Sequence, residues 1–288
     1  MSDYAHPEVL VSTDWVAEQV DETDAVRIVE ASEDEALYET GHVPNSVALD
    51  WVEELQQEVV RDLVDRDGFE TLCESKGISN DTTVVLYGDQ HNWWACYAFW
   101  VFALYGHEDI RLMNGGREKW VAEDRPLGTS SPELSSGRYE ASEQDLALRA
   151  FRDQVLRHVQ AGGALVDVRS PEEYRGEVRF LPEYPAESTL RAGHIPGARN
   201  IPWERSIAED GTFKSREDLA ALYETEHGLD PWSETMTYCR IGERSSLTWF
   251  VLRYLLGFDE VRNYDGSWSE WGNLVGMPIQ RVEEGEEP

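Results

Sequence analysis

Lysine is scarce in this chain of 288 residues, and acidic residues far outnumber basic ones. The chain has 57 Asp and Glu against 25 Lys and Arg, which gives a formal net charge of −32, and its lysines are Lys76, Lys119 and Lys214. So negative a protein repels the phosphates of nucleic acids and anionic lipid headgroups, and we expect neither nucleic acids nor membranes among its partners. High acid content with so little lysine resembles halophilic proteins, whose charge is screened by a salt-loaded cytoplasm.

Cysteine is also sparse, with Cys73, Cys96 and Cys239 as its positions. An odd count without CxxC spacing argues against a disulfide framework, and we expect no metal site and no other cofactor. The sequence shows no charged-then-apolar leader and no run of ~18 apolar residues, so a secretory or membrane-spanning segment is not expected. We therefore expect a cytoplasmic monomer in which a reactive thiol stays reduced.

The second half of the chain repeats the first. The sequence Gly-His-Val-Pro-Asn-Ser at 41–46 resembles Gly-His-Ile-Pro-Gly-Ala at 193–198, and Trp120 recurs 151 positions later as Trp271. A near-constant offset over half a chain indicates a duplicated domain. A stretch rich in Pro, Gly and Ser separates the halves, and the predicted organisation is one domain at 8–125, a linker at 126–144 and a second domain at 145–280.

Short β-rich segments alternate with helical patterns in both halves. The predicted strands are 26–29, 83–87, 164–168 and 235–238, and the predicted helices are 15–20, 52–63, 69–76, 93–104, 216–227 and 245–256. This alternation predicts an α/β fold in which each domain is a parallel sheet flanked by helices. Ligands of such sheets bind beyond the carboxyl ends of the strands.

Cys239 lies at such an end, in the sequence Tyr-Cys-Arg-Ile-Gly-Glu-Arg-Ser-Ser at 238–246. The helix that follows offers unpaired N–H groups and partial positive charge, and Arg240 and Arg244 add two cations against the single anion Glu243. We expect these groups to lower the pKa of the thiol and to make it a nucleophile within an anion-binding loop. No separate general base is then expected.

The same loop contains the candidate substrate-binding residues. Arg244 and Arg240 are predicted to bind the oxygens of an anionic substrate. Ile241, Gly242 and Glu243 complete the predicted binding segment. The backbone N–H groups from Ile241 to Ser245 would stabilise a thiolate, and Ser245 is expected to support the loop. A cysteine at a strand end is otherwise most often a small buried hydrophobe, but two arginines and a glycine within five residues favour catalysis.

The pattern Cys-Arg-x-Gly-x-Arg resembles the active-site loop of the rhodanese family, the thiosulfate sulfurtransferases. Three further motifs resemble family hallmarks, at 167–169, 192–198 and 264–268, and the resemblance covers nearly the whole chain. It implies that Cys239 takes the outer sulfur of thiosulfate as a persulfide and passes it to cyanide or another thiophilic acceptor, by double displacement. Thiosulfate and such an acceptor are thus the expected partners.

Other residues of the motifs are expected to support the site. Asp167 and Arg169 end a predicted strand and are expected to brace the loop as an ion pair, and Trp268 is expected to lie beside it. His194 recurs as His42 in the first half, so it follows the fold and not the chemistry. The first-half equivalent of the cysteine loop, 88–93, holds neither cysteine nor arginine, which predicts a catalytically silent first domain.

Three alternatives remain open. Members of the family that use 3-mercaptopyruvate have loops poor in charge, whereas this loop has two arginines. Cysteine phosphatases have Cys-x5-Arg, whereas here four residues separate Cys239 from Arg244. The third alternative is a non-catalytic rhodanese-like binding module. The presence of Cys239 in the second half argues against it.

Overall fold

The computed structural model describes residues 3–23, 25–134, 137–179, 181, 184 and 187–282, and these form two compact units. The N-terminal unit contains the described residues of 6–145 together with 207–213. The C-terminal unit contains those of 1–5, 146–206 and 214–288. Nothing in the sequence predicted that 207–213 would pack with the first half, where the N–H of Phe213 donates to Asn114 at 3.0 Å.

The N-terminal unit has a five-stranded sheet in which every strand pair is parallel. Its strands are β1 (Leu10–Val11), β2 (Val26–Glu30), β3 (Val47–Ala48), β4 (Thr83–Tyr87) and β5 (Ile110–Met113), in the order β1-β5-β4-β2-β3. Its helices are α1 (Thr13–Gln19), α2 (Ala36–Thr40), α3 (Arg66–Ser75), α4 (Trp93–Leu104) and α5 (Gly116–Ala122), with short 3-10 turns at Pro7–Val9 and Gln90–Asn92. Its central strands are buried, as expected for a parallel sheet covered on both faces.

The C-terminal unit has a four-stranded parallel sheet. Its strands are β6 (Ala164–Asp167), β7 (Arg199–Asn200), β8 (Thr235–Tyr238) and β9 (Val261–Asn263), in the order β7-β6-β8-β9. Its helices are α6 (Arg152–Gln160), α7 (Pro171–Arg175), α8 (Arg216–Ala220), α9 (Glu243–Phe250) and α10 (Ser267–Trp271), with a 3-10 turn at Trp203–Ser206. The predicted α/β class, with two parallel sheets flanked by helices, is confirmed.

The described residues of the predicted linker, 126–134 and 137–144, belong to the N-terminal unit. Tyr139 is buried, and its hydroxyl lies 3.0 Å from Nδ1 of His107. The N–H of Ala141 donates to Glu70 at 3.0 Å. The main segment of the N-terminal unit therefore ends at 145, and it includes the stretch whose composition predicted a linker.

The helix predicted at 52–63 is absent. The side chain of Asp50 accepts hydrogen bonds from the N–H groups of Val52 and Glu53, and Gln56 and Leu63 form an antiparallel bridge. Val59, within the predicted helix, is 91% exposed. The prediction was wrong because Asp50 caps only a first turn, after which the chain folds back: the N–H of Gln57 donates to the carbonyl of Asp62, and that of Val64 to the carbonyl of Leu55.

Two predicted helices change their hydrogen bonding partway. The helix predicted at 216–227 continues from α8 as a π-helix at Ala221–Glu226, and the one predicted at 245–256 continues from α9 as a π-helix at Val251–Leu256. The N–H of His227, for example, donates to the carbonyl of Leu222. Apolar spacing predicts which face of a helix is buried. It does not distinguish the hydrogen-bond pattern of an α-helix from that of a π-helix.

Helix α4 is apolar on all sides and is almost wholly buried in the N-terminal unit. A helix that is apolar all round is expected to be buried. Among the helices of the described residues, none combines the length and the apolar character needed to cross a membrane.

Candidate active site

Cys239 follows the last residue of β8, at the carboxyl edge of the C-terminal sheet, and α9 begins four residues later. Gly242 turns the chain between them with a φ of 113°. A Cβ at this position would lie 2.9 Å from both Cα and Cβ of Asp265, so the turn requires glycine for its backbone angle and for space. The sequence predicted this strand–loop–helix arrangement.

A second loop holds the cysteine loop from one side. The N–H of Cys239 donates to Oγ of Ser267 at 3.1 Å, and the N–H of Trp268 donates to the carbonyl of Cys239 at 3.1 Å. The N–H of Ser269 donates to the carbonyl of Arg240 at 3.0 Å. The motif at 264–268 therefore fixes the backbone that carries the nucleophile.

Trp268 supports this arrangement from the core. Its side chain is fully buried, and its indole N–H donates to the carbonyl of Arg191 at 3.2 Å. The guanidinium of Arg169 lies 4.6 Å from the centroid of its ring, a cation–π contact. Trp268 thus links the strand that ends at Asp167 to the second loop.

The thiol of Cys239 is fully buried and has three polar neighbours. Its Sγ accepts a hydrogen bond from the N–H of Gly242 at 3.2 Å and lies 3.6 Å from the hydroxyl of Ser245. The third neighbour is a carboxylate oxygen, Oε2 of Glu243, at 3.2 Å. N–H donors stabilise a thiolate, whereas the adjacent carboxylate stabilises the protonated thiol.

The expected lowering of the pKa of this thiol is wrong. Burial and the negative charge of Glu243 raise the pKa of Cys239 to about 11, although Arg244 acts in the opposite direction. The expectation of a low pKa rested on the charges within the loop, two arginines against one carboxylate. The fold removes the thiol from water and places the carboxylate of Glu243 against it, and both changes favour the neutral form.

Glu173 is the residue that the sequence interpretation missed. Its carboxylate is buried and joins both arginines, since Nε of Arg240 lies 2.6 Å from Oε1 and Nη1 of Arg244 lies 3.1 Å from Oε2. Although burial acts to raise it, these cations lower the pKa of Glu173 to about 2. Its sequence signal was the Ser-Pro-Glu-Glu segment, whose Ser170 and Glu173 form a helix capping box.

Arg240 is bonded to groups of the protein itself. Its guanidinium is fully buried, and besides Glu173 it donates to the carbonyls of Arg179 and Glu187, with Nη1 at 3.3 and 3.2 Å. These bonds tie the backbone at Arg179 and at Glu187 to the cysteine loop. All three guanidinium nitrogens of Arg240 take part in these contacts, and its predicted contact with substrate stays a prediction.

Arg244 lies in the first turn of α9, as predicted, and is 5% exposed. Its Nε donates to Oε1 of Glu243 at 3.2 Å, and its Nη1 reaches Glu173. Ile241 is half-buried, whereas the loop residues around it are buried. Ile241 and Arg244 are therefore the predicted binding residues nearest to solvent.

Beneath the loop lies a buried polar cluster around Asn263. The hydroxyl of Ser245 donates to Oδ1 of Asn263 at 2.7 Å, and Nδ2 of Asn263 donates to the carbonyl of Gly242 at 3.1 Å. Ser245 thus supports the loop, as predicted. Asn263 was missed because no local pattern connects it with residues twenty positions earlier.

Asp167 and Arg169 form the predicted ion pair, with Nη2 of Arg169 2.6 Å from Oδ2 of Asp167. The hydroxyl of Tyr238 donates to the same oxygen at 2.6 Å, so the pair anchors the end of β8. In the N-terminal unit, Glu30 accepts from the hydroxyl of Tyr87 and pairs with Arg117 at 3.2 Å. Since both units keep this arrangement, it belongs to the fold more than to the chemistry.

The two histidines of the repeated turn also have matching contacts. Nδ1 of His194 lies 2.8 Å from the carbonyl of Tyr174, and its ring stacks on that tyrosine at 3.6 Å. His42 makes the same pair of contacts with Tyr38, at 2.8 and 3.8 Å. The structural role inferred from the repeat is therefore confirmed.

The loop at 88–93 of the N-terminal unit has no cysteine and no arginine. The carboxylate of Asp89 accepts from the N–H groups of Glu33 and Asp34, at 2.7 and 3.2 Å. The N–H of Gly88 donates to Oδ1 of Asn92 at 2.9 Å. This loop therefore carries the side chains of Asp89 and Asn92, whereas the corresponding loop of the C-terminal unit carries the thiol of Cys239.

Comparison with known proteins assigns the family. The rhodanese-like domain model matches residues 12–123 and 151–274. The sulfur carrier protein TtuD of Thermus thermophilus is 58% identical over 98% of this chain and 99% of its own length. A protein of Saccharopolyspora erythraea named "Putative thiosulfate sulfurtransferase" is 53% identical over 96% of this chain and 98% of its own length.

Among solved structures, SseA from Escherichia coli, described as a 3-mercaptopyruvate sulfotransferase, superposes with a TM-score of 0.76 at 25% identity. The match covers 90% of this chain and 98% of SseA. Sequence and structure agree, and the chain belongs to the rhodanese family of sulfurtransferases, with two rhodanese-like domains in tandem.

Proposed function

We propose that this protein is a thiosulfate sulfurtransferase that moves the outer sulfur of thiosulfate to cyanide or another thiophilic acceptor through a persulfide on Cys239. The observation that carries the proposal is the position of Cys239 at the carboxyl edge of the sheet, with the Gly242 N–H directed at its sulfur. The C-terminal unit holds this site, and we propose that the N-terminal unit is catalytically silent. A cytoplasmic monomer without a cofactor fits the need for a reduced thiol.

The chemistry is a double displacement. The sulfur of Cys239 attacks the outer sulfur of thiosulfate, a new S–S bond forms, and the original S–S bond breaks with its electron pair on sulfite. The acceptor then attacks the outer sulfur of the persulfide and regenerates the thiolate. The Gly242 N–H stabilises negative charge on Sγ, and Arg244 supplies positive charge at the loop.

A second donor, 3-mercaptopyruvate, is favoured by a specific observation. Glu173 and Glu243 pair with the loop arginines, so the loop is less cationic than its sequence predicted. A carboxylate-bearing keto donor needs less positive charge than the thiosulfate dianion. The relative from Escherichia coli bears the name of that activity.

The test of the proposed function is cyanide-dependent thiocyanate production with each donor, measured as kcat/KM. We expect turnover with thiosulfate, and a higher kcat/KM with it than with 3-mercaptopyruvate. Turnover with 3-mercaptopyruvate alone would replace the proposed donor and leave the sulfur-transfer site in place. Failure with both donors would contradict the proposal.

We expect Arg244→Ala to lower kcat/KM for thiosulfate roughly ten- to hundredfold, since a charged hydrogen bond to an anion contributes about 1.5–3 kcal/mol. The loss with 3-mercaptopyruvate should be smaller. Arg244→Lys should restore only part of the activity, because the ammonium group of lysine cannot bind an anion in two places as the planar guanidinium of arginine does. Steady-state kinetics with both donors checks this, and equal losses would mean that Arg244 only holds Glu173 and Glu243 in place.

A further inference from the structure

The carboxylate of Glu243 is in contact with the nucleophile. Its Oε2 lies 3.2 Å from Sγ of Cys239, and its other oxygen lies 3.2 Å from Nε of Arg244. Glu243 is 3% exposed and Cys239 is fully buried, so water does not separate them. Such a distance between buried groups is a hydrogen bond in which the thiol donates.

The thiol needs a proton acceptor. Because its pKa is raised to about 11, the thiol is almost entirely protonated at pH 7. The thiolate, and not the thiol, is the nucleophile. The proton must therefore leave as the donor arrives, and an acceptor within hydrogen-bond distance provides the shortest path.

Other polar groups near the loop are bonded elsewhere. The carboxylate of Asp167 accepts from Arg169 and Tyr238, and that of Glu173 accepts from the loop arginines. Nδ1 of His194 lies against a backbone carbonyl. These contacts leave Glu243 as the base in position among the described residues.

We propose that Glu243 is the general base of the sulfur-transfer reaction, an inference that rests on the proposed function. The proton of Cys239 passes to Oε2 of Glu243 while the sulfur electron pair forms the bond to the outer sulfur of the donor. With thiosulfate, the S–S bond of the donor breaks and sulfite leaves with its electrons. The protonated Glu243 then hydrogen-bonds the outer sulfur of the persulfide, or returns its proton there, so atoms and charge balance.

The charged groups around Glu243 are consistent with this role. Arg244, on the same helix, bonds to its second oxygen, and Glu173 and Arg240 lie across from the pair. Glu187 is a like-charged neighbour of Glu243. Burial and the charge of Glu243 raise the pKa of Glu187 to about 8, so near neutral pH Glu187 is mostly protonated.

The experiment is a pH profile of persulfide formation in the full chain, followed by rapid quench and intact mass with thiosulfate and, separately, with 3-mercaptopyruvate. We expect the wild-type rate to be nearly constant between pH 6 and 8. Glu243→Gln should react roughly a hundredfold more slowly at pH 7, the usual scale of general-base catalysis. Its rate should rise about tenfold per pH unit as hydroxide ionises the thiol, so the difference closes toward pH 9.

Two further variants sharpen the result. Glu243→Asp keeps a carboxylate and should keep part of the flat profile, whereas the exposed Glu217→Gln should match the wild type. A Glu243→Gln profile parallel to the wild type, slower by one factor at every pH, would mean a structural role and overturn the inference. An equal or faster Gln variant at pH 7 would do the same, because Glu243 would then only suppress the thiolate.

Failure of the proposed function has a different signature. Sulfur uptake from 3-mercaptopyruvate alone contradicts the proposed donor, but its pH profile still decides the role of Glu243. A wild-type chain that gains sulfur from neither donor overturns the proposed function and the inference together.

Discussion

Incubation with thiosulfate should add one sulfur, about 32 Da, to the wild-type chain, and Cys239→Ser should show no such adduct and no thiocyanate production. A serine hydroxyl is a far weaker nucleophile toward sulfur than a thiol, so we expect activity to disappear and not merely to decline. Intact-mass spectrometry of the native protein measures the adduct directly.

The matched control is the double variant Cys73→Ala and Cys96→Ala. Both thiols are buried in the N-terminal unit, where burial raises their pKa, and neither should be needed. The double variant should therefore still gain a single sulfur. An adduct on Cys239→Ser, or its loss from the folded double variant, would place the nucleophile elsewhere.

Glu173→Gln should lower the free energy of unfolding by about 3–5 kcal/mol, because it leaves buried arginine charge without its carboxylate. For a domain of this size the melting temperature should fall by roughly 10 °C. The exposed Glu217→Gln is the matched control, and its effect should stay within about 0.5 kcal/mol. Differential scanning calorimetry distinguishes the two.

The pH dependence of this loss follows from the lowered pKa of Glu173. Its folded value of about 2 lies below the ordinary value of 4.5, so the carboxylate stabilises the fold fully above about pH 4.5. That stabilisation is lost as the pH falls through 2. The difference between Glu173→Gln and the wild type should thus be constant from pH 5 to 8 and shrink in acid. A difference below about 1 kcal/mol at pH 7 would contradict the role assigned to Glu173.

Several parts of the fold could be predicted from sequence because their signals are local. The strands at 83–87 and 235–238 and the helix at 93–104 have the predicted bounds, since runs of buried apolar residues identify them. The helix predicted at 52–63 failed for a local reason as well. Its apolar spacing was helical, but after one turn the chain folds back and backbone hydrogen bonds join 55–57 to 62–64.

The sequence by itself determined the duplicated α/β architecture, the strand-end position of Cys239 and the glycine turn beside it. It could not determine the electrostatics of the site. Glu173 lies 67 positions before Arg240 and meets it only because the ends of neighbouring parallel strands bring their loops together. Burial of the thiol and the charge of Glu243 beside it raise a pKa that the sequence predicted to be low, because burial and charge proximity depend on distances that only the tertiary structure sets.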